Sequence, residues 1–368
     1  MFNVYIGVDP MTGKEKRTTR RGFKTKKEAE LTLARLKIEI DKGTYKKDTA
    51  ETYQDVYDLW IKHYEKTVEE STFAKTTSFF KLHILPVFGK YRIEKVNIDI
   101  CQNTVDEWAI KLKNYRAIRS AASRVFDFAI KRGFILSNPF KFVELPAQKA
   151  KLNEVYEEKP ENFYDREQLI LFLKCLEKGS NFKSYVLFRL LAFTGMRRGG
   201  ALALTWEDIN INEKELRINK ALTRGIKNRR YVKATKTGIS RTIKLDQKTL
   251  DILSEWKKKQ KQEYLALGYN TLQPNQLIFS NSKNTYYEPT KVRTWLAHVL
   301  NKYELDTITT HGLRHTHCSL LFEAGASIKD VQDRLGHTNV QTTLDIYTHV
   351  TKKAKAEAIQ KFEQYLDI

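Results

Sequence analysis

The chain has 368 residues, enough for two or three domains of the usual size, about 100–200 residues each. Hydrophobic residues make up 41% and aromatic residues 11%, which is the composition of a folded, soluble protein. Lysine and arginine number 65 against 44 aspartate and glutamate, a formal net charge of +21, so we expect a polyanionic partner, nucleic acid before an anionic membrane surface. The alternative is a basic surface that serves only solubility.

The cysteines and the N-terminus predict a cytoplasmic protein. Cys101, Cys175 and Cys318 lie far apart and fit no zinc-binding pattern, which favours packed thiols in a reducing compartment. The first residues, MFNVYIGVDP, lack the apolar core of a signal peptide, and no run of the sequence approaches the length of a membrane span.

The first segment predicts a small basic domain over residues 1–48. The stretch YIGVDPMTGKEKRTTRRGF is typical of two strands around a turn, with Asp9, Pro10 and Gly13 as turn residues. The stretch TKKEAELTLARLKIEI predicts a helix that begins with a capping box of Thr25 and Glu28. A polar linker follows.

The second segment, residues 51–145, predicts an all-helical domain. Its first helix places Tyr53, Val56, Tyr57 and Trp60 on one face, and we expect a turn at ILPVFGKY. Further helices are predicted near 97–112 and 114–132, the last ending at Gly133. Residues 146–162 are charged and lack apolar periodicity, which indicates a linker.

The third segment, residues 163–368, predicts a mixed but mainly helical domain. SYVLFRLLAFTG has the apolar spacing of a helix that ends at a Thr-Gly turn. ELRINKA, NRRYVKATK and SRTIKLD predict three strands of one small basic sheet, joined by Gly225 and Gly238. Helices are then predicted at 247–266, 289–302, 312–324, 327–335 and 340–347.

The third segment also carries groups that together suit attack on a DNA phosphodiester without metal. A guanidinium group can donate two hydrogen bonds to the oxygens of one phosphate. A tyrosine can act as a covalent nucleophile when cations and a base surround it. HGLRH has the spacing of two metal ligands, but the metalloprotease signature needs a glutamate directly after the first histidine, and that position here is Gly312. The candidate residues are Arg197, Lys236, His311, Arg314, His337 and Tyr347.

These motifs resemble those of a known family. TGMRRGGALALTWEDI, TKTGISRTIKL, HGLRHTHCSLL, LGH and LDIYTH stand in the order found in the tyrosine recombinases, also called phage integrases, across most of residues 163–350. The basic start followed by a helical domain is similar to integrases of temperate phages and of integrative conjugative elements of Gram-positive bacteria. The resemblance implies a mainly α fold with small β-sheets: a ββα-type arm-binding domain, an all-α SAM-like core-binding domain and a mixed α+β catalytic domain.

The resemblance also implies a role for each candidate residue. Arg197 and Arg314 would bind the non-bridging oxygens of the scissile phosphate, and His337 would donate a further hydrogen bond to it. Lys236 would protonate the departing 5′-oxygen. His311 would help to take the proton of Tyr347, which attacks to form a 3′-phosphotyrosyl bond. His315, His317 and His349 match less diagnostic positions and are expected to pack around the site, with His315 nearest to it.

A site-specific recombinase of a mobile element or viral genome needs no cofactor, and its implied partners are double-stranded DNA at core and arm attachment sites, an excisionase and a host DNA-bending protein. The bacterial nucleoid would be its location. The tail KKAKAEAIQKFEQYL carries Ile359, Phe362 and Leu366 on one helical stripe. The tail either docks on the next protomer of a tetramer, as the resemblance implies, or packs on its own domain.

Basic residues outside the candidate active site are expected to contact DNA phosphates, which positions DNA without selecting its sequence. The alternative for each is a solvated charge on a basic surface. The candidates are Arg20, Arg21, Lys24, Arg116, Arg119, Arg124, Arg224, Lys227, Arg229, Arg230 and Arg241.

One departure from the family pattern leaves a second hypothesis open, and the histidine spacing leaves a third. Gly200 occupies a position that is usually acidic, as in RRGE, so either Glu207 or Asp208 replaces that carboxylate or the activity is slower or altered. A catalytically silent DNA-binding regulator with the same fold is the second hypothesis. A metal-dependent nuclease that uses the histidines is the third.

Overall fold

The computed structural model describes residues 1–8, 13–23, 25–41, 52–146, 162–235, 238 and 240–346. The predicted turn residues Asp9 and Pro10, most of both linkers, His349 and the C-terminal tail helix lie outside these described residues, as do Lys24, Lys236 and Tyr347. The chain divides into two compact units, residues 1–69 with 75–147 and residues 70–74 with 148–368.

The N-terminal segment forms a strand pair and a helix, as predicted. β1 (Phe2–Val8) pairs antiparallel with β2 (Glu15–Arg20), from Phe2 opposite Arg20 to Val8 opposite Glu15. α1 spans Lys26–Asp41, and the backbone N–H of Glu28 donates to Thr25 Oγ1 at 3.2 Å. The threonine side chain therefore satisfies an N–H that the first helical turn would otherwise leave unpaired.

The all-helical prediction for the second segment is confirmed. Thr52 and Asp55 form a capping box at the start of the first helix, and Gly133 closes the last one with φ +75°. Aromatic rings fill the core: the centroids of Tyr53 and Phe126 lie 5.2 Å apart, and those of Phe88 and Phe140 lie 5.5 Å apart. The helices are α2 (Tyr53–Glu65), α3 (Glu70–Phe79), α4 (Leu85–Phe88), α5 (Ile98–Lys111) and α6 (Tyr115–Arg132).

The predicted turn at ILPVFGKY is wrong over most of its length. Residues Phe80–Ile84 form a π-helical turn that runs directly into α4, and the chain leaves the helix only at Gly89. Pro86 lies inside this continuous helical run and donates no backbone N–H, and the π-helical turn directly before it is where the α-helical hydrogen-bond pattern changes.

The second unit is built around a buried helix. All but three of the thirteen residues of α8 (Phe182–Thr194) are buried, and Trp256 of α10 packs in the same core with no exposed surface. No helix among the described residues is long and apolar enough to cross a bilayer. The helices are α7 (Arg166–Glu177), α8, α9 (Arg198–Ala201), α10 (Gln247–Ala266), α11 (Pro289–Lys302), α12 (Gly312–Glu323) and α13 (Ile328–Leu335), and residues 341–346 are also helical.

The prediction of one three-stranded sheet is wrong, because ELRINKA splits into two strands that belong to different sheets. β3 (Ile209–Asn210), β4 (Glu215–Ile218) and β7 (Arg241–Lys244) form one antiparallel sheet, and β5 (Lys220–Arg224) pairs with β6 (Arg230–Ala234) in another. Leu216, Ile218 and Leu222 are all buried at even spacing. The buried positions of β4 and β5 therefore follow the same alternation. For this reason the sequence pattern does not reveal that the two strands belong to different sheets.

We expect Phe88→Ala to lower the free energy of unfolding of the first unit by about 3–5 kcal/mol, since it empties a fully buried aromatic site. The matched control is Leu136→Ala, which removes a side chain that is 100% exposed and should change stability by less than about 0.5 kcal/mol. Urea denaturation followed by circular dichroism measures both. Equal losses would contradict the core assignment.

Candidate active site

Arg314 links the ends of two helices. Its side chain lies on α12 and is 2% exposed. Nη1 donates to the carbonyl of Gly195, just after α8, at 2.7 Å, and Nη2 donates to the carbonyl of Leu335, the last residue of α13, at 2.9 Å. Burial first, and then the charges of Arg197 and Arg241, lower the pKa of Arg314 to about 9, so the guanidinium is still charged at neutral pH.

Gly195 has a conformation and surroundings that exclude a side chain. It ends α8 in the left-handed region at φ +60°. A Cβ there would lie 2.5 Å from Leu335 Cδ2 and 2.7 Å from His317 Cδ2. The position whose carbonyl binds Arg314 therefore requires glycine for two reasons: the left-handed backbone torsion and the absence of space for a side chain.

Arg241 and Arg197 bring further positive charge to the same place. Arg197 lies two residues after Gly195 and directly precedes α9. Arg241 begins β7, and its Nε donates to the carbonyl of Arg334 at 2.8 Å. Burial, followed by the charges of Arg197 and Arg334, lowers the pKa of Arg241 to about 10. The side chains of Arg197, Arg241 and Arg314, from three remote stretches of sequence, therefore converge on one strongly cationic site.

Within the described ranges, no carboxylate forms an ion pair with Arg197, Arg241 or Arg314. A Cβ on Gly200 would point to Met196 Cε at 3.3 Å and Ile218 Cγ2 at 3.8 Å. Glu207 and Asp208 were the predicted substitutes for an acid at this position.

Both carboxylates are instead committed to other cations. Lys220 Nζ lies 2.8 Å from Asp208 Oδ2 and 3.6 Å from Glu207 Oε1, and Arg217 lies 3.7 Å from Asp208 Oδ1. Among the described residues, neither carboxylate contacts the site's arginines, so these contacts do not support the alternative in which Glu207 or Asp208 replaces the missing acid.

His337 is a neutral imidazole beside these arginines. It follows Gly336, which ends α13 at φ +68°. Its Nδ1 lies 2.9 Å from the hydroxyl oxygen of Thr343. Burial first, then the charges of Arg314 and Arg197 with smaller contributions from His315 and Arg241, lower the pKa of His337 to about 4.

His311 and His315 stand one helical turn apart with their rings edge to face, the centroids separated by 4.8 Å. Partial burial lowers the pKa of both, and the positive charge of Arg314 adds to the effect. His311 directly precedes α12, and the charge of Arg197 lowers its pKa further. A neutral imidazole with solvent access can accept a proton, which is the property that a general base requires.

His317 has a tautomer that its two neighbours determine. Its Nδ1 lies 2.8 Å from the carbonyl of Ala192, which can only accept, and its Nε2 lies 3.0 Å from Arg334 Nε, which can only donate. The proton is therefore on Nδ1. Burial and then the charge of Arg334 lower the pKa of His317 to about 3. His317 positions Arg334, as expected of a residue packed around the site.

The glycine that departs from the metalloprotease signature is required by packing. A Cβ on Gly312 would lie 2.5 Å from the backbone oxygen of Asn162, and the Asn162 side chain exchanges hydrogen bonds with Thr309 at 2.9 and 3.0 Å. A glutamate at position 312 therefore does not fit here. Over the described part of the chain, no three histidine, cysteine, aspartate or glutamate side chains are placed to hold a metal ion.

Residues 162–354, more than half of the chain, match the model of the phage integrase family. The chain belongs to the phage integrase family. Residues 52–109 match the family's N-terminal SAM-like domain, and residues 1–40 match an arm DNA-binding domain. The predicted family and fold class are thereby confirmed.

Relatives and solved structures agree with this assignment. The ICEBs1 integrase of Bacillus subtilis is 26% identical over 378 residues, which cover 99% of this chain and 96% of that protein. The Tn1549 transposon integrase in complex with transposon right end DNA superposes with a TM-score of 0.68 at 20% identity, over 84% of this chain and 99% of that one. A lambda integrase tetramer bound to a Holliday junction gives 0.61 at 19% identity, over 92% and 90%.

The predicted DNA-contact arginines of this integrase's helical domain differ in their freedom to bind. Arg116 and Arg124 are exposed on α6, where each also contacts a tyrosine hydroxyl at 3.2 Å. Arg119 is half-buried and donates to the carbonyl of Phe140. Two further predicted contacts belong to the N-terminal segment: Arg20 ends β2, and Arg21 follows it in an exposed position.

Carboxylates already hold three predicted contacts of the β5–β6 hairpin. Glu70 pairs with Arg229 at 2.7 Å. Glu288 pairs with Arg224 at 2.5 Å and with Arg230 at 3.4 Å. Lys227 is exposed at the tip with φ +52°, and Arg229 lies over the ring of Tyr231 at 5.4 Å.

Sequence reasoning missed several residues of this region. Arg198 is half-buried, and burial first, then the charges of Arg224 and Arg293, lower its pKa. Its position directly after Arg197 was the available signal. Arg334 contacts His317 and the carbonyl of Phe193, which are distant in sequence, and Thr343 contacts His337, six residues earlier. Nothing in the residue type of Arg334 or Thr343 alone distinguishes them.

We expect Gly195→Ala to destabilise the second unit by more than the roughly 1–2 kcal/mol that a left-handed backbone costs an L-residue, because a Cβ also overlaps Leu335 and His317. Gly133→Ala is the matched control, since Gly133 closes α6 at φ +75°. Thermal unfolding compares the two variants. A loss for Gly195→Ala no larger than that for Gly133→Ala would contradict the described packing.

His317 should make stability depend on pH. An unfolded histidine binds a proton near pH 6.5, whereas the pKa of about 3 in the folded state keeps His317 neutral. The stabilising contribution is complete above pH 6.5 and is lost as pH falls toward 3, by at most about 1.4 kcal/mol per pH unit. Histidine NMR should show His317 neutral, with its proton on Nδ1, from about pH 8 down to about pH 5, a range in which an ordinary histidine would titrate. Titration of His317 within that range would contradict the prediction.

Proposed function

We propose that this integrase cleaves and rejoins DNA at specific sites through a 3′-phosphotyrosyl bond to Tyr347, and so moves a mobile element into and out of a bacterial chromosome. Tyrosine recombinases are DNA-cleaving and rejoining enzymes, and the chain is a member of their family. The observation that carries the mechanism is the cluster of Arg197, Arg241 and Arg314 without a paired carboxylate among the described residues.

The arginine cluster suits a phosphate in its transition state. The pentacoordinate phosphorus carries more equatorial negative charge than the starting diester, so cations that are already in place stabilise it selectively. Arg197 and Arg314 are the proposed ligands of the two non-bridging oxygens. Because the carbonyls of Gly195 and Leu335 hold the Arg314 guanidinium, little reorganisation is needed when the phosphate arrives.

Proton transfers complete the exchange. The phenol oxygen of Tyr347 forms a bond to phosphorus as the bond to the 5′-oxygen breaks. The phenol proton goes to neutral His311, and Lys236 gives a proton to the departing 5′-oxygen. The roles of Lys236 and Tyr347 rest only on the family motifs that contain these residues. Ile346, which precedes Tyr347 in the sequence, is 9% exposed and packs in a cluster with Cys318 and Leu335, close to the elements that carry Arg314.

The covalent intermediate explains why joining needs no external energy source. A phosphotyrosyl ester replaces one phosphodiester by another of similar energy, and attack by a 5′-hydroxyl of a second strand regenerates both the DNA bond and the free tyrosine. The reaction is thus a pair of transesterifications, each of which balances in atoms and charge.

We also propose that this integrase acts as a tetramer with further protein partners. The lambda integrase in the structural comparison is a tetramer on a Holliday junction. For this chain, the apolar stripe of Ile359, Phe362 and Leu366 supports docking of the tail on a neighbouring protomer in a tetramer. Arm sites would bind the N-terminal domain, an excisionase and a host DNA-bending protein would set direction, and the bacterial cytoplasm would be the compartment.

A nicked duplex from the DNA that flanks this gene tests the function, because loss of the short strand beyond the nick traps the covalent intermediate. We expect a protein–DNA adduct in EDTA that disappears in Tyr347→Phe and persists in the control Tyr303→Phe. Arg197→Ala should slow adduct formation about 100- to 1000-fold.

Two other outcomes separate the alternatives. Tight, salt-sensitive binding to the same DNA without any adduct would support the silent regulator. Cleavage that EDTA abolishes would support a metal-dependent nuclease. Either result would overturn the proposed function.

A further inference from the structure

The contact between His337 and Thr343 has a consequence for the scissile phosphate. A neutral imidazole carries one ring proton, so it can donate to a phosphate oxygen through Nε2 only if Nδ1 accepts a hydrogen bond or stands empty. In this structure Nδ1 lies 2.9 Å from Thr343 Oγ1. We propose that Thr343 is a positioning residue whose hydroxyl donates to His337 Nδ1 and thereby keeps the ring proton on Nε2, facing the phosphate.

The proposal rests on the proposed function, because it assigns His337 a donor role toward DNA. It adds a residue that the sequence motifs do not mark. Thr343 does not touch the phosphate in this scheme and acts only through the histidine ring.

The backbone of His337 is fixed on both sides. Its N–H donates to the carbonyl of Gln332 at 3.2 Å, and its carbonyl accepts from Gln332 Nε2 at 3.0 Å. Gly336 ends α13 in the left-handed conformation, which turns the chain away from the helix. With the backbone held and Nδ1 committed to Thr343, Nε2 is the ring nitrogen that remains for a ligand.

Thr343 is itself held and shielded from water. Its side chain has no exposed surface, and its backbone N–H donates to the carbonyl of Val340 at 2.9 Å. A buried hydroxyl without a partner loses the hydrogen bonds that water would give it, so the Thr343 hydroxyl is strongly tied to the ring. The ring itself stays uncharged at neutral pH, as the low pKa of His337 indicates.

Two proton arrangements are compatible with the observed distance. If Thr343 donates, Nε2 carries the proton and can bind a phosphate oxygen. If Nδ1 donates to Thr343 instead, Nε2 carries a lone pair that a phosphate oxygen would repel. Only the first arrangement lets His337 stabilise the phosphate, and the opposite orientation of His317, whose proton is on Nδ1, shows that neighbouring groups set each tautomer separately.

Nitrogen NMR of histidine-labelled protein measures the tautomer directly. The sample is the full chain with Tyr347→Phe, free and bound to the duplex from the DNA that flanks the gene. We expect the His337 proton on Nε2 in the bound protein. A proton on Nδ1 in that complex would overturn the proposal, and this measurement depends on no substitution of Thr343.

Cleavage kinetics test the same point with matched variants. Thr343→Val replaces the hydroxyl by a methyl group of similar size, and we expect the rate of adduct formation to fall about 10- to 100-fold, the range seen when partners that orient metal-bound histidines are removed. DNA affinity should fall by much less than the rate, because the phosphate oxygens carry more negative charge in the transition state than in the bound diester. Thr343→Ser should restore most of the rate.

Two controls separate positioning from general damage. Thr342→Val makes the same chemical change at an exposed neighbour and should leave the rate unchanged. In a His337→Ala background, Thr343→Val should have no further effect, because the hydroxyl acts through the ring. A Thr343→Val rate equal to that of Thr342→Val, or equal losses with and without His337, would refute the inference. Absence of any adduct in the wild-type chain would instead refute the proposed function.

Discussion

The buried guanidinium of Arg314 between two backbone carbonyls is the interaction on which the rest of the site depends. It joins the end of α8 at Gly195 to the end of α13 at Leu335, although α12 carries the side chain itself. A buried charge without partners would cost several kcal/mol by order of magnitude, so the carbonyls at these helix ends, which carry partial negative charge, are needed to keep it there. The three elements must therefore meet in one arrangement, and that arrangement also sets the positions of Arg197 and His337.

A second layer of backbone contacts places the remaining groups. Arg241 donates to the carbonyl of Arg334, and the Arg334 side chain reaches His317 and the carbonyl of Phe193. The histidines are neutral because burial and nearby arginines oppose a further positive charge. The strong positive charge and the neutral histidine rings thus follow from one cause, the concentration of guanidinium groups in a partly buried place.

Much of the fold could be predicted from the sequence, because helices with a clear apolar face and defined caps follow local rules. The helices that begin at Gln247 and Pro289 and the end of α6 at Gly133 are examples. The division of the strands into two sheets could not be predicted, since the choice of partner strand depends on long-range pairing. In the site, motif order indicated Arg197, His311, Arg314 and His337, whereas Thr343 and Arg334 act through distances that only folding creates.

The convergence of arginines without described acidic partners has a consequence for the protein apart from its chemistry. Guanidinium groups that lower one another's proton affinity also repel one another, so the DNA-free protein holds unrelieved electrostatic strain at this place. In the proposed reaction, a DNA phosphate would supply the counter-ion that the described residues do not provide there. If the phosphate of DNA occupies this site as proposed, binding would relieve that repulsion and the complex would resist unfolding more than the DNA-free protein does.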